Sequence, residues 1–100
     1  MKNNIFAVYA VQWEESERGW GTRPDGASFH CSIAEAQAFI KHYWDREKAN
    51  NSTGEVPDEY SRPVSGKPEL IRVKRDFYEQ VMNNKSVRLW QNQVKDVVIR

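Results

Sequence analysis

Hydrophobic side chains follow a two-residue period near the N-terminus. The segment Ile5 to Trp13 (IFAVYAVQW) is rich in β-branched and aromatic residues, and both of its alternating sets are largely apolar. This pattern predicts a central strand that is covered on at least one face. The stretch Arg23 to Gly26 (RPDG) has the composition of a tight turn. We therefore expect short strands at 19–23 and 27–31, and an antiparallel meander in the first third of the chain.

The pattern changes to a helical period after Ser32. Ser32 and Glu35 have the spacing of a capping box, in which a serine hydroxyl and a glutamate bond the first backbone amides of a helix. Apolar side chains then recur three and four residues apart up to about Lys48. They form one stripe: Ala36, Phe39, Ile40, Tyr43 and Trp44. This spacing predicts one long amphipathic helix that packs against the sheet.

A break follows the helix. Residues 49–68 contain three of the four prolines and two of the five glycines, which predicts a long loop. Glu69 to Lys74 then alternates like a strand. Asp76 and Glu79 repeat the capping pattern, which predicts a short helix that ends near Asn83 and Asn84.

The last segment fits two structures. Ser86 to Gln91 alternates like a strand, and Val94 to Ile99 is β-branched, so strands are the favoured interpretation. The alternative is a helical stripe: Val87, Trp90, Val94, Val97 and Val98.

These elements predict a single α+β domain over residues 1–100, with the loop 49–68 inside it. A small, mainly antiparallel sheet packs the long helix on one face and is joined by a second short helix. The expected order is three strands, helix, long loop, strand, helix and strand. The expected core is Phe6, Val8, Val11, Phe29, Ala36, Phe39, Ile40, Tyr43, Ile71, Val73, Val81 and Leu89.

Composition supports a folded chain. Hydrophobic residues are only 39%, but aromatic residues reach 12%, whereas disordered chains are poor in aromatic side chains. We see no apolar run long enough to cross a membrane and no leader segment. A single cysteine cannot form an internal disulfide bond, which favours a reducing compartment. We expect a cytoplasmic protein with no membrane association.

Residues that could carry chemistry are few and scattered. His30 and Cys31 are adjacent in a predicted strand, so their side chains point to opposite faces. His42 and Asp45 can share a helix face, but His30 lies on another element. The sequence has no glycine-flanked nucleophile and no P-loop. We therefore expect neither an enzyme, nor a cofactor, nor a metal site.

Charge is unevenly distributed although the net charge is only +1. Residues 1–61 contain six basic and ten acidic side chains, and residues 62–100 contain nine basic and four acidic ones. Basic residues beside aromatic ones can hold phosphates and stack bases. One hypothesis is therefore a nucleic-acid-binding domain that uses the basic half 62–100. Its candidate residues are Arg72, Lys74, Arg75, Arg88 and Trp90.

The favoured hypothesis is a small non-catalytic module that binds a protein partner. Trp20 lies between two glycines in a polar segment, and tryptophan and arginine dominate binding hot spots. Residues 55–68 add an acidic segment with prolines, which reduce the entropy lost on binding. The expected contact residues are Arg18, Trp20, Arg23, Asp58, Glu59 and Tyr60.

Two stretches suggest a biological setting. GWGTRPDG and VPDEYSRP are similar to loops in small accessory proteins of bacteria and phages, and they carry no motif that identifies a family. The resemblance implies a modulator that a phage or mobile element encodes and that binds a host protein. A homodimer that pairs the C-terminal strand or Trp90 is a further alternative.

Overall fold

The computed structural model describes residues 5–17, 21–50 and 59–99. The described chain runs β1 (Ala7–Glu17), β2 (Gly21–His30), α1 (Ile33–Asn50), β3 (Glu59–Pro63), β4 (Glu69–Arg72), α2 (Arg75–Asn84), β5 (Ser86–Leu89) and α3 (Gln91–Val97). It is an α+β fold with an antiparallel sheet and one long helix, as the hydrophobic pattern predicts.

The strand β1 is the centre of the sheet. It pairs with β2 on one side, and β5 extends the sheet beyond β2. On its other side, β1 pairs first with β4 over Ala7 to Ala10 and then with β3 over Trp13 to Glu17. The central position explains why both alternating sets of β1 are apolar, because each set contributes to a core on its own face.

Two cores lie on opposite faces of the sheet. On one face α1 covers Val11 and Trp13, and Phe39, Ile40 and Tyr43 pack around them. On the other face α2 and α3 cover a larger cluster: Val8, Ala10, Ala27, Phe29, Val73, Phe77 and Val81. The expected core is largely confirmed, although Phe6, Phe39, Ile40, Tyr43, Ile71 and Leu89 are only half-buried. Trp13 and Phe77, which do not belong to the expected core, are both buried as well.

The predicted turn at Arg23 to Gly26 is wrong. β1 and β2 form one long hairpin, and Arg23 and Pro24 pair with Glu15 and Glu14 inside it. Residues 21–23 and 27–30 of the two expected strands are therefore parts of a single strand, β2, and residues 19 and 20 lie outside the described residues. A proline is tolerated here because the strand is irregular beside it.

A β-bulge explains the turn-like composition. After the Gln12–Ala27 pair the register shifts by one residue, so β2 has one residue more than β1 at this point. Gly26 lies there with a φ of 80°, in the left-handed region that glycine adopts without strain. A Cβ on Gly26 would lie 2.0 Å from the carbonyl oxygen of Leu89, so the position requires glycine.

The helix predictions hold with small changes. The backbone amide of Glu35 donates to Ser32 Oγ at 3.1 Å, which confirms the serine half of the capping box. α2 begins two residues earlier than the capping pattern predicts, with Lys74 and not Asp76 at the N-cap position. It ends at Asn84, and Lys85 follows with a φ of 70°.

Two segments differ from the sequence-based expectation. β3 lies inside the predicted loop 49–68, and residues 51–58 of that loop are outside the described residues. The strand predicted at 86–91 is confirmed over Ser86–Leu89 as β5, whereas Gln91 already belongs to α3, and the strand predicted at 94–99 is wrong. α3 takes its place because Val94 and Val97 then face the α2 core together, and Val98 forms an isolated β-bridge with Val73, the residue after β4.

In residues 5–17, 21–50 and 59–99, no helix has both the length and the hydrophobicity to cross a membrane.

Candidate functional site

A buried polar network lies between α1 and the sheet. His30 on β2 is fully buried, with Nε2 2.8 Å from Ser28 Oγ and Nδ1 2.7 Å from Ser86 Oγ. The indole Nε1 of Trp13 donates to the same Ser28 oxygen at 2.8 Å. One serine hydroxyl therefore connects an indole on β1 to an imidazole on β2.

The imidazole in this network is neutral at physiological pH. Burial lowers the pKa of His30 from 6.5 to about 4. Ser28 Oγ accepts from Trp13, which leaves its own hydrogen to donate to His30 Nε2. The ring proton is then assigned to Nδ1, which donates to Ser86 Oγ. Ser28 and His30 are both 0% exposed, so this serine–histidine contact has no surface through which a substrate could reach it.

The candidate metal ligands lie apart. Cys31 packs against the core on the α2 side, whereas His30 packs against Phe39 of α1, with ring centroids 5.1 Å apart. His42 is exposed on α1, and Asp45 pairs with Lys41 at 2.5 Å. Within the described ranges, no three histidine, cysteine or acidic side chains are grouped to hold a metal ion.

Arg88 on β5 ties the bulge to the sheet. Its Nη2 donates to the carbonyl oxygen of Asp25 at 2.7 Å and to the carboxylate at 3.2 Å. Ser61 of β3 donates its hydroxyl to the same carboxylate. The guanidinium also lies over the Trp13 ring, with Cζ 4.7 Å from the centroid. The positive charge of Arg88 therefore pairs with Asp25, while Arg88 Nε is buried and has no acceptor among the described residues.

An open pocket adjoins this arginine. We call it the aromatic pocket, and it is lined by Asp25, Phe39, Tyr43, Arg46, Ser61, Arg88 and Trp90. Its volume is about 230 Å³. The lining comes from α1, β2, β3, β5 and the residue after β5, so the site depends on the whole fold. Trp90 is 64% exposed, although the tryptophan of the buried network, Trp13, is only 1% exposed.

Tyr43 fixes one wall of the aromatic pocket. Its hydroxyl donates to the carbonyl oxygen of Ser61 at 2.6 Å. Burial raises the pKa of Tyr43, and the negative charge of Glu47 raises it further, so the phenol stays neutral. Its ring meets Trp13 edge to face at 5.0 Å. The wall is therefore rigid on its inner side.

The predicted partner-contact residues lie near one end of the sheet as far as they are described. Arg23 is exposed on β2 and pairs with Glu15 at 3.0 Å. Glu59 and Tyr60 are in β3, where their backbones pair with Glu17 and Ser16 of β1. Arg18, Trp20 and Asp58 lie outside the described residues. The fold thus joins the two predicted segments at the Glu17 end of β1, which we call the distal end.

The candidate nucleic-acid residues are divided between two edges. Arg72, Lys74 and Arg75 are exposed around the β4–α2 junction, where Arg75 pairs with Glu79 at 3.4 Å. Arg88 and Trp90 lie at the opposite edge of the sheet, in β5 and just after it, and the strands β1 and β2 separate them from β4. The structure does not bring the five residues together.

A second cleft lies on the opposite face, beside α3. It has a volume of about 250 Å³, and small residues of the sheet, Ala10, Gly26 and Ala27, leave it open. Val64, Val94 and Val98 add apolar walls. Gln91 also lines this cleft, and its side-chain Oε1 accepts a hydrogen bond from the backbone amide of Gly26 at 3.1 Å.

Models of known protein families, curated proteins and solved structures were all compared with this chain, and none gives a significant match.

Proposed function

We propose that the chain is a small non-catalytic module that binds a protein partner through the aromatic pocket and the adjoining distal end. The observation that carries the proposal is Trp90, which is 64% exposed while it lines a pocket with two aromatic and two arginine side chains. Tryptophan, tyrosine and arginine are the residue types that most often dominate the energy of protein interfaces.

The gain from covering Trp90 is large. Burying the exposed part of an indole removes on the order of 150 Å² of mostly apolar surface from water, which stabilises a complex by about 4 kcal/mol before ordering costs. The inner wall of Tyr43 and Phe39 already packs on Trp13. A partner would therefore meet a preformed surface.

The distal end supports the same surface. Asp25 of β2 and Ser61 of β3 line the aromatic pocket, and both strands continue to the distal end, with Arg23 on one and Glu59 and Tyr60 on the other. Three of the residues predicted from the sequence, Arg23, Glu59 and Tyr60, thus belong to strands that also line the pocket.

The non-catalytic part of the proposal rests on the polar groups of the pocket. Asp25 is engaged by Arg88 and Ser61, and the Tyr43 hydroxyl is used on a backbone carbonyl. General acid–base chemistry needs a group that can reach a substrate and exchange its proton near the working pH. The imidazole of His30, which packs against Phe39 of the pocket lining, is fully buried.

The proposal includes a setting. In its specific form, we propose that the chain is a modulator that a phage or mobile element encodes and that acts on a host protein in the cytoplasm. The lone Cys31 suits a reducing compartment.

The test is affinity capture from a cell lysate with three immobilised proteins: the wild type, Trp90→Ala and Leu70→Ala. Leu70 is 63% exposed on β4 and does not line the aromatic pocket, so it controls for loss of an exposed apolar side chain. We expect proteins that the wild type and Leu70→Ala retain and Trp90→Ala loses. The same retained proteins on all three surfaces would contradict the proposal. Retention that nuclease treatment abolishes would favour nucleic-acid binding instead.

A further inference from the structure

We infer that the aromatic pocket recognises an acidic peptide segment, with a carboxylate paired to Arg46 and the neighbouring apolar side chain held between Phe39, Tyr43 and Trp90. This inference rests on the proposed function and names the chemistry of the partner.

Charge selects an acidic occupant. The aromatic pocket is lined by two guanidinium groups and one carboxylate, and that carboxylate, on Asp25, is already bound by Arg88 and Ser61. Arg46 is exposed and makes no hydrogen bond or ion pair with any residue in the described part of the chain. A planar guanidinium pairs best with a planar carboxylate, through two parallel hydrogen bonds.

The other charges near the pocket do not change the preference for an acidic occupant. Arg46 and Arg88 both lie near enough to Tyr43 for their positive charges to favour its ionised form. Glu47 acts on Tyr43 in the opposite sense but does not line the pocket. Among the charged residues that line the pocket, Asp25 and Arg88 are bound to each other, so Arg46 is the cation that an incoming carboxylate would pair with.

Size and walls favour a peptide side chain over a cofactor. The volume of about 230 Å³ is below the roughly 300–1,000 Å³ typical of sites for drug-sized ligands and cofactors. It suits one aromatic or large aliphatic side chain. Phe39, Tyr43 and Trp90 offer ring surfaces to such a side chain, so an acidic residue next to an apolar one satisfies both parts of the pocket.

The experiment follows the indole N–H resonance of Trp90 by NMR while blocked tripeptides are added to the full chain. The probes are acetyl-Glu-Phe-Gly-amide and acetyl-Gln-Phe-Gly-amide, which differ only in charge. We expect a saturable shift with the Glu peptide, with a Kd on the order of 1 mM, and binding of the Gln peptide about tenfold weaker.

A pair of variants assigns the charge effect. Arg46→Gln should remove the difference between the two peptides. Lys48→Gln removes the same charge from the same helix at an exposed position outside the pocket, and should preserve the difference. High salt should weaken the binding of the Glu peptide more than the binding of the Gln peptide.

Three outcomes would overturn the inference: equal binding of the two peptides, no shift with either up to about 10 mM, or a shift produced by an oligothymidylate and by neither peptide. The first two leave the proposed function standing, because that is judged by the effect of Trp90→Ala on protein capture. The third would count against both.

Discussion

Trp13 donates its indole N–H to Ser28 Oγ at 2.8 Å, in the layer between α1 and the sheet. The same indole contacts Phe39 and Tyr43, with ring centroids 6.0 and 5.0 Å away, and lies beneath the guanidinium of Arg88. The hydroxyl of Ser28 therefore fixes the ring on which three walls of the aromatic pocket rest. Trp13 therefore connects the buried network to the residues that line the exposed pocket.

Removing the hydroxyl of Ser28 should destabilise the fold. In Ser28→Ala the Trp13 indole N–H and His30 Nε2 lose their partner in a site where Ser28 is 0% exposed. Two unsatisfied buried groups cost about 2–4 kcal/mol of unfolding free energy. Urea denaturation measures this loss. Ser65→Ala, at an exposed turn, should cost less than about 0.5 kcal/mol, and equal effects of the two variants would contradict the role of the network.

Stability should fall in acid because of His30. Its pKa is about 4 in the folded chain and 6.5 when unperturbed, so between these values the unfolded chain binds a proton that the folded chain does not. The unfolding free energy is therefore fully retained above pH 6.5 and decreases as the pH falls towards 4, by about 3 kcal/mol in total. Unfolding in urea at a series of pH values measures this slope.

Carboxylates also titrate in acid, so two variants isolate the histidine. The His30→Gln variant should lack the decrease in unfolding free energy that the wild type shows between pH 6.5 and 4. His42→Gln, at an exposed position on α1, should keep it. Parallel curves for the wild type and His30→Gln would show that His30 is not the group responsible.

Glycine should be required at one position of the hairpin and only favoured at another. Gly26 and Gly21 both have positive φ, of 80° and 84°, so alanine strains either by about 1–2 kcal/mol. At Gly26 the added Cβ also meets the carbonyl of Leu89 at 2.0 Å, whereas Gly21 has open space. We expect Gly26→Ala to cost at least about 2 kcal/mol more than Gly21→Ala in thermal or urea unfolding. Equal losses would mean that the bulge does not approach β5 as described.

The elements that local pattern controls could be predicted. α1 was identified because its stripe and its cap at Ser32 lie within one stretch of sequence, and β1 because alternation is local. The bulge at Gly26 could not be distinguished from a turn, since both use glycine with positive φ. α3 was missed because Val94 and Val97 suit a strand as well as a helix until the α2 core is present.

The site was harder to predict than the fold. The aromatic pocket collects Asp25, Phe39 and Arg88 from separate elements, and no spacing along the chain links them. The sequence identifies Trp90 and Arg88 as aromatic and basic neighbours, but it does not show that Arg88 is held by Asp25, a residue on another strand. Trp20 stays a prediction, outside the described residues.

We propose that Trp90 serves binding and not folding. The decisive measurement compares the wild type with Trp90→Ala in two quantities: the Kd for a protein that the wild type retains from a lysate, and the Tm of the free chain. Because Trp90 is 64% exposed, we expect a Tm within a few degrees of the wild type and a Kd raised at least about tenfold. An unchanged Kd, or a Tm that collapses together with the affinity, would contradict it.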